Sequence, residues 1–343
     1  MYKRQSKALL EGYAQQAAVA GKIMRDAGDK AREQFRESQD PAVFDKVQAS
    51  MKRFREERTK LDEGFMNDLK AVVTPDQVAK WPEVERATRR DTTLRNGRMS
   101  GERVDLLDLT DKQQLPDDVK AQIAPFLSQY EEDLDRELIK RNEVYQNSID
   151  KMMDLRRAGN MDGMQDIIER GREAGIRIRE LNRKYARQIM DTLPDEKRAS
   201  FEREFKKESY PEVYRQSYSD KVAVAATAMP DLSTEQKELI VAMTKKYQTE
   251  IEPVNTKYAA AVEENENKFN LMEMAARGWQ QEGPLQDIRR QRRDMDKKLL
   301  DGIKNVLSEE QRTRLPEDDN RDRQRGGQGA GDGGGRGGQR GPT

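Results

Sequence analysis

The sequence contains neither cysteine nor histidine. This excludes disulfide bonds, thiol catalysis, acid–base catalysis by histidine, and zinc sites that depend on either ligand. Only 6% of the 343 residues are aromatic and 34% are hydrophobic. That is too little apolar material for one large round core, but it is enough for narrow seams between long helices.

Long hydrophobic runs and an excess of either charge are also missing. No apolar run approaches the roughly 18 residues of a membrane span, and the basic start of the chain is not followed by a signal-peptide stretch. Lys plus Arg and Asp plus Glu number 64 each. The balanced charge gives no reason to expect a polyanionic partner, so nucleic acid is not the favoured ligand.

Three short stretches carry the same helix-start signal: "VTPDQ" at 73–77, "LSTEQ" at 232–236 and "LSEEQ" at 307–311. A Ser or Thr can cap free backbone amides, and the Gln three residues later can reach back to form a capping box. The predicted capping residues are Thr74, Gln77, Ser233, Gln236, Ser308 and Gln311.

These signals belong to an internal repeat. Related starts, "LPDDV" at 115–119 and "LPDEK" at 193–197, fall between the others, and Tyr130 aligns with Tyr247 at an offset of 117. Motif starts at 73, 115, 193, 232 and 307 predict two whole units preceded by a partial one. The out-of-register "LTDKQ" at 109–113 is interpreted as a decoy.

Each unit reads as a helical hairpin, because apolar residues recur at spacings of three and four and turn residues precede the second helix. The predicted turns are at 38–41, 158–163 and 277–284. The predicted seams are Met51, Phe54, Arg58, Leu61, Phe65, Leu69 and Val72 in the first unit; Ala174, Ile178, Leu181, Tyr185 and Ile189 in the second; and Leu285, Ile288, Arg292, Met295, Leu299, Ile303 and Val306 in the third.

We therefore predict an all-α fold of elongated tandem helical hairpins with long, coiled-coil-like helices. The predicted units are 1–108 (partial), 109–231 and 232–315, followed by a disordered Gly/Arg-rich tail at 316–343. Tyr2 and Tyr13 keep the spacing of Tyr247 and Tyr258, which places residue 1 inside a helix whose capping motif would lie upstream. On that register the chain is expected to be trimmed.

Few residues suggest chemistry. Asp105, Asp108 and Asp111 would share a helical face, and a solvated acidic face is favoured over a cation site. Ser and Lys pairs lack a nucleophile-elbow context. Arg58 and Arg292 occupy equivalent seam positions: either the stem lies along the seam with its head in water, or a paired charge fixes the helix register. We expect no enzyme activity, no cofactor and no metal.

Methionines cluster beside two predicted turns. Ordinary core packing is the favoured interpretation, and an adaptable apolar surface for unfolded clients is the alternative. The candidate client-binding residues are Met152, Met153, Met161, Met164, Met272, Met274 and Trp279. The tail contains two Arg-Gly-Gly triplets, for which a flexible solubilising role is favoured over RNA binding.

The repeated L-[ST]-x-x-Q pattern at 73–77, 232–236 and 307–311 resembles the LTxxQ motif of the Spy/CpxP family. That family comprises small all-α periplasmic proteins of bacterial envelope stress that carry the motif twice around a helical hairpin. The resemblance implies a periplasmic or otherwise extracytoplasmic location and an ATP-independent chaperone or stress-associated binding role. The family's zinc role does not transfer to a chain without His and Cys.

Three functions remain in competition. The first is chaperone-like binding of unfolded or partly folded proteins, with homo-oligomerisation left open. The second is a structural helical repeat without clients. The third is RNA binding through the tail.

Overall fold

The chain is all-α. The computed structural model describes residues 2–40, 43–271 and 283–318, and no residue in these ranges forms a β-strand. The chain folds as two compact units, Met1–Thr88 and Arg89–Thr343. The predicted tail lies almost entirely outside the described residues.

The first unit contains one long hairpin. Helix α1 (Tyr2–Ser38) is followed by α2 (Val43–Val72), and Gln39 closes α1 in the left-handed conformation. Two short helices follow. Helix α3 (Pro75–Ala79) lies in the first unit, and α4 (Trp81–Thr93) spans the boundary between the two units. Tyr13 and Phe65 stack in the seam with ring centroids 4.4 Å apart.

The second unit contains two further hairpins. Helices α6 (Asp117–Arg157) and α7 (Met161–Thr192) meet at a turn where Gly159 has a φ of 63°. Helices α11 (Thr234–Asn267) and α12 (Pro284–Val306) form the next pair. The described part of this unit also contains a 3-10 helix (Leu94–Asn96), α5 (Leu106–Lys112), α8 (Asp195–Ser209), α9 (Pro211–Tyr214), α10 (Tyr218–Thr227) and α13 (Glu309–Arg312). The second predicted turn is confirmed at 158–160, and residues 161–163 already belong to α7. The first is confirmed at 39–40, and the third lies largely outside the described residues.

The seams form narrow cores, as the composition predicts. In the second hairpin the buried side chains include Tyr130, Leu134, Leu138, Ile178, Tyr185 and Ile189. In the third they include Ile240, Tyr247, Leu299, Ile303 and Leu307. The first hairpin is thinner: Met51, a predicted seam residue, is 42% exposed.

All three predicted capping boxes are present. Thr74, Ser233 and Ser308 each accept a hydrogen bond from the backbone amide three residues later, and the glutamine there reaches back to the cap. The glutamines of these capping boxes differ in burial: Gln311 is buried and Gln77 is exposed. The decoy is also confirmed: Thr110 lies inside α5 and donates to the Leu106 carbonyl.

The two boxes of the third hairpin also hold each other. Gln236 Nε2 donates to Gln311 Oε1 at 3.1 Å and to the Val306 carbonyl at 2.8 Å. Gln311 Nε2 donates in return to the Asp231 carbonyl at 3.2 Å. Each glutamine therefore uses its oxygen to cap its own helix and its nitrogen to tie the start of the hairpin to its end.

The second hairpin makes a similar tie with different residues. Lys197, at the position of Gln311, donates from Nζ to the Gln113 carbonyl at 2.8 Å. Arg198 and Arg312 also correspond, because each donates to a carbonyl eight residues earlier, at the end of a long helix. Although "LPDEK" departs from the motif, its lysine still connects the two ends of the hairpin.

One tyrosine hydrogen bond recurs in all three hairpins; it is fully buried in the second and partly buried in the first and third. Tyr13 donates to Asp62 at 2.8 Å, Tyr130 to Asn182 at 2.9 Å, and Tyr247 to Asp296. These tyrosines are spaced 117 residues apart, and burial raises the pKa of all three. The internal repeat is therefore also a repeat of side-chain contacts. The predicted alignment of Tyr2 with Tyr247 is wrong, because Tyr13 makes the hydrogen bond that corresponds to that of Tyr247.

The equivalent seam arginines behave differently. Arg58 forms an ion pair with Asp62, its Nε lying 2.7 Å from Oδ1. Arg292 instead donates from Nη1 to the Glu212 carbonyl at 2.9 Å, and it forms no ion pair within the described part of the chain. Because Arg58 and Asp62 both lie in α2, this ion pair does not set the register of one helix against the other. The contact of Arg58 with α1 is the hydrogen bond that it donates to the Tyr13 hydroxyl.

The division between units differs from the predicted boundary at 108/109. Leu94 and Val104 are buried in the core of the second hairpin, so the segment after α4 packs with residues that follow it. The predicted repeat boundary at 231/232 falls inside the second compact unit.

Candidate functional site

The second unit contains a cavity of about 790 Å³ that could hold a ligand. The floor of the cavity is formed by the half of the α6/α7 hairpin that is nearer the turn. Its walls are formed by the loop after α4 and by the C-terminal end of α11. The lining residues are Asn96, Arg98, Met99, Tyr145, Ser148, Met152, Met153, Ile167, Ile168, Gly171, Arg172, Asn265, Glu266 and Phe269. Its volume lies in the range of about 300 to 1,000 Å³ typical of small-molecule sites.

Helical spacing builds the apolar floor. Tyr145, Ser148 and Met152 lie on one face of α6, and Ile168 and Gly171 face them from α7. These are continuations of the seam that is fully buried further along α7, where loop and helix residues cover it. Near the turn the seam side chains are only half-buried by the part of the chain that the structure describes.

The loop at 97–105 is held by a buried ion pair. Arg141 Nη1 lies 2.7 Å from Glu102 Oε1, and both side chains are fully buried. The other carboxylate oxygen of Glu102 accepts hydrogen bonds from the backbone amides of Arg98 and Met99. The position of the loop that forms one wall of the cavity therefore depends on this pair.

A second buried contact fixes the middle of the loop. Asn182 Nδ2 donates to the Gly101 carbonyl at 2.8 Å, and Asn182 Oδ1 accepts from Tyr130. Gly101 has a φ of 74°, and a Cβ there would lie 3.2 Å from Arg179 Cγ. Gly175 allows a similar approach, because its Cβ would lie 2.7 Å from Glu102. Both positions favour glycine.

The end of α11 is tied to the same loop. Glu266 accepts hydrogen bonds from the backbone amide and hydroxyl of Ser100, at 2.9 and 2.7 Å from Oε1. It also pairs with Arg179 at 3.3 Å. Burial raises the pKa of Glu266 despite these donors. The third hairpin therefore contributes one wall of the cavity, and the carboxylate of Glu266 in that wall is already paired with Arg179.

The rim of the cavity is cationic at one end. Arg98 is exposed and its guanidinium lies 5.1 Å from the centre of the Tyr145 ring. Arg103 is exposed beside it and donates from Nε to the Gly97 carbonyl at 2.5 Å. Within the described ranges neither arginine forms an ion pair. Burial raises the pKa of Tyr145, and Arg141 and Arg98 oppose that rise.

The predicted client-binding residues divide into three groups. Met152 and Met153 line the cavity, while Met161 and Met164 are half-buried beside the turn. Met272, Met274 and Trp279 lie outside the described residues. Sequence reasoning missed Tyr145, Ile168 and the loop residues. The continuation of the α7 seam could have indicated Ile168, whereas nothing in the sequence marked the loop as a wall.

Over the described ranges, no group of three or more acidic side chains is placed to hold a metal ion. Asp105 caps α5 and pairs with Arg90, and Asp108 pairs with Lys112, so the acidic cluster serves local structure. No helix in the part of the chain that the structure describes is long and apolar enough to cross a membrane.

Comparisons with protein-family models, with curated proteins and with solved structures each gave no match for this chain.

Proposed function

We propose that the protein binds apolar segments of unfolded or partly folded proteins in the cavity of the second hairpin, without using ATP. The observation that carries this proposal is the row of half-buried Met, Ile and Tyr side chains, with the exposed Phe269 beside them, around a volume of about 790 Å³. Methionine adapts its shape to varied partners, and such surfaces are typical of proteins that accept many ligands.

The surroundings support reversible binding to a soluble chain. Charged and amide groups, among them Arg98, Arg172, Asn265 and Glu266, surround the apolar floor, so a bound segment would meet a polar rim as in other protein interfaces. The resemblance of the capping motifs to Spy/CpxP proteins supports an extracytoplasmic, stress-associated setting, which is part of the proposal.

A structural helical repeat is the second candidate. The recurring tyrosine hydrogen bond and the ties between hairpin ends favour it, because they stabilise each hairpin without any ligand. RNA binding has no such support, since almost all of the Gly/Arg-rich tail lies outside the described residues.

A bulky side chain inside the cavity separates these candidates. A Cβ at Gly171 would lie 3.4 Å from Tyr145, an ordinary contact, so a larger side chain can grow into the cavity. Replacing a helical glycine with tryptophan also improves helix propensity, so Gly171→Trp should fold. We expect the wild type, at near-stoichiometric ratio and without ATP, to slow aggregation of thermally unfolding citrate synthase, and Gly171→Trp to lose most of that protection.

The matched control is Gly64→Trp, on an exposed face of α2 where a Cβ would contact nothing within 4 Å. It should protect as the wild type does. Circular dichroism of both variants should show unchanged helix content. If the wild type at tenfold excess over citrate synthase does not slow its aggregation, the chaperone proposal is wrong and the structural-repeat candidate is favoured.

A further inference from the structure

The cavity has a polar end and an apolar end. Arg98 lies over Tyr145 at one end of the α6 face, and Met152 and Met153 lie at the other. The nearby charges are already used: Glu266 pairs with Arg179, Arg172 with Glu169, and Arg141 with Glu102. Arg98 is thus an exposed cation at the polar end of the cavity, and Arg103 lies next to it.

The length of the apolar floor sets the size of the ligand. From Tyr145 to Met152 the helix advances about 10 Å, at 1.5 Å per residue. A zigzag hydrocarbon chain advances roughly 1.25 Å per carbon, given a bond of about 1.5 Å. A chain of about eight to ten carbons therefore spans the distance from the cationic end to the methionines.

We propose that the cavity binds a medium-chain carboxylate amphiphile, with its carboxylate at Arg98 and its alkyl chain along Tyr145, Ile168, Met152 and Met153. Charge complementarity selects an anionic head group, and the apolar floor selects an unbranched chain. This inference goes beyond the proposed function, because it holds whether or not protein clients bind. If both are correct, the amphiphile competes with clients for the same cavity.

Isothermal titration of the full chain with sodium decanoate tests the inference directly, in the absence of any protein client. We expect one site per chain. Hexanoate should bind more weakly, each carbon removed lowering the affinity by up to about fourfold. Decyltrimethylammonium, which has the same chain and the opposite charge, should bind at least tenfold more weakly than decanoate.

Two cavity variants, each with a matched control, locate the site. Gly171→Trp should weaken decanoate binding at least tenfold, whereas Gly64→Trp should leave it unchanged. Arg98→Gln should weaken decanoate several-fold and leave decanol binding unaltered. Arg25→Gln, which removes an exposed arginine of α1, is the charge-matched control and should have no effect.

The inference is overturned if decanoate does not bind, if it binds at many equivalent places, or if Gly171→Trp binds it as well as the wild type. Equal affinity for decanoate and decyltrimethylammonium would also overturn it, because the cationic rim would then play no part. If the wild type binds decanoate as expected but does not slow the aggregation of the client protein, the proposed function is overturned and this inference stands.

Discussion

Replacing Arg141 with methionine is expected to lower the free energy of unfolding by about 3 to 5 kcal/mol, because it leaves the fully buried carboxylate of Glu102 without its partner. The substitution also removes hydrogen bonds to the Thr93 carbonyl and to Asn142. Urea titration followed by circular dichroism measures the loss. Because the same pair holds the 97–105 loop, the variant should also lose the wall of the cavity.

A second substitution tests the cause. Adding Glu102→Gln to Arg141→Met removes the stranded charge while keeping an oxygen for the amides of Arg98 and Met99, so it should recover much of the loss. Arg177→Met is the exposed control: its ion pair with Glu137 is partly open to water and should contribute no more than about 1 kcal/mol. A small effect of Arg141→Met would mean that the loop is held by other contacts.

Removing the repeated tyrosine hydroxyl should destabilise the three hairpins unequally. Tyr130 is fully buried, and its hydroxyl contacts Asn182, the Val104 carbonyl and the Leu106 amide. Tyr130→Phe removes the hydroxyl that these buried groups contact, while Asn182 keeps its hydrogen bond to the Gly101 carbonyl, and it should cost about 1 to 3 kcal/mol. The measurement is again the urea-dependent free energy of unfolding.

The other two copies serve as internal controls. Tyr247 is 7% exposed and Tyr13 is half-exposed, so water can replace part of the lost hydrogen bond. We expect the cost to fall from Tyr130→Phe to Tyr247→Phe to Tyr13→Phe, with the last well below 1 kcal/mol. Equal losses at all three positions would contradict the assigned role of burial.

Local patterns predicted the helices, two turns and the capping boxes because each depends on residues a few positions apart. Ser308 and Gln311 cap a helix three residues apart, and Gly159 ends one by adopting a left-handed conformation. The repeat could also be predicted, since Tyr130 and Tyr247 occupy equivalent positions in their hairpins.

The cavity wall could not be predicted, because it depends on contacts between distant residues. Glu102 is one of 64 acidic residues, and only the fold brings it to Arg141. Ser100 meets Glu266, which is 166 residues away. The glutamines were identified as caps, yet their second role, from Gln236 to Gln311 across 75 residues, follows from hairpin geometry alone.

Site-specific cross-linking tests the central claim, that clients bind in this cavity, most directly. Because the chain has no cysteine, a single photo-reactive label can be placed at Ser148→Cys on the cavity floor, or at Leu239→Cys, which is 47% exposed on α11. We predict that reduced, carboxymethylated lactalbumin cross-links strongly to the label at 148 and weakly to the label at 239. Equal cross-linking at both positions, or none at 148, would contradict the account.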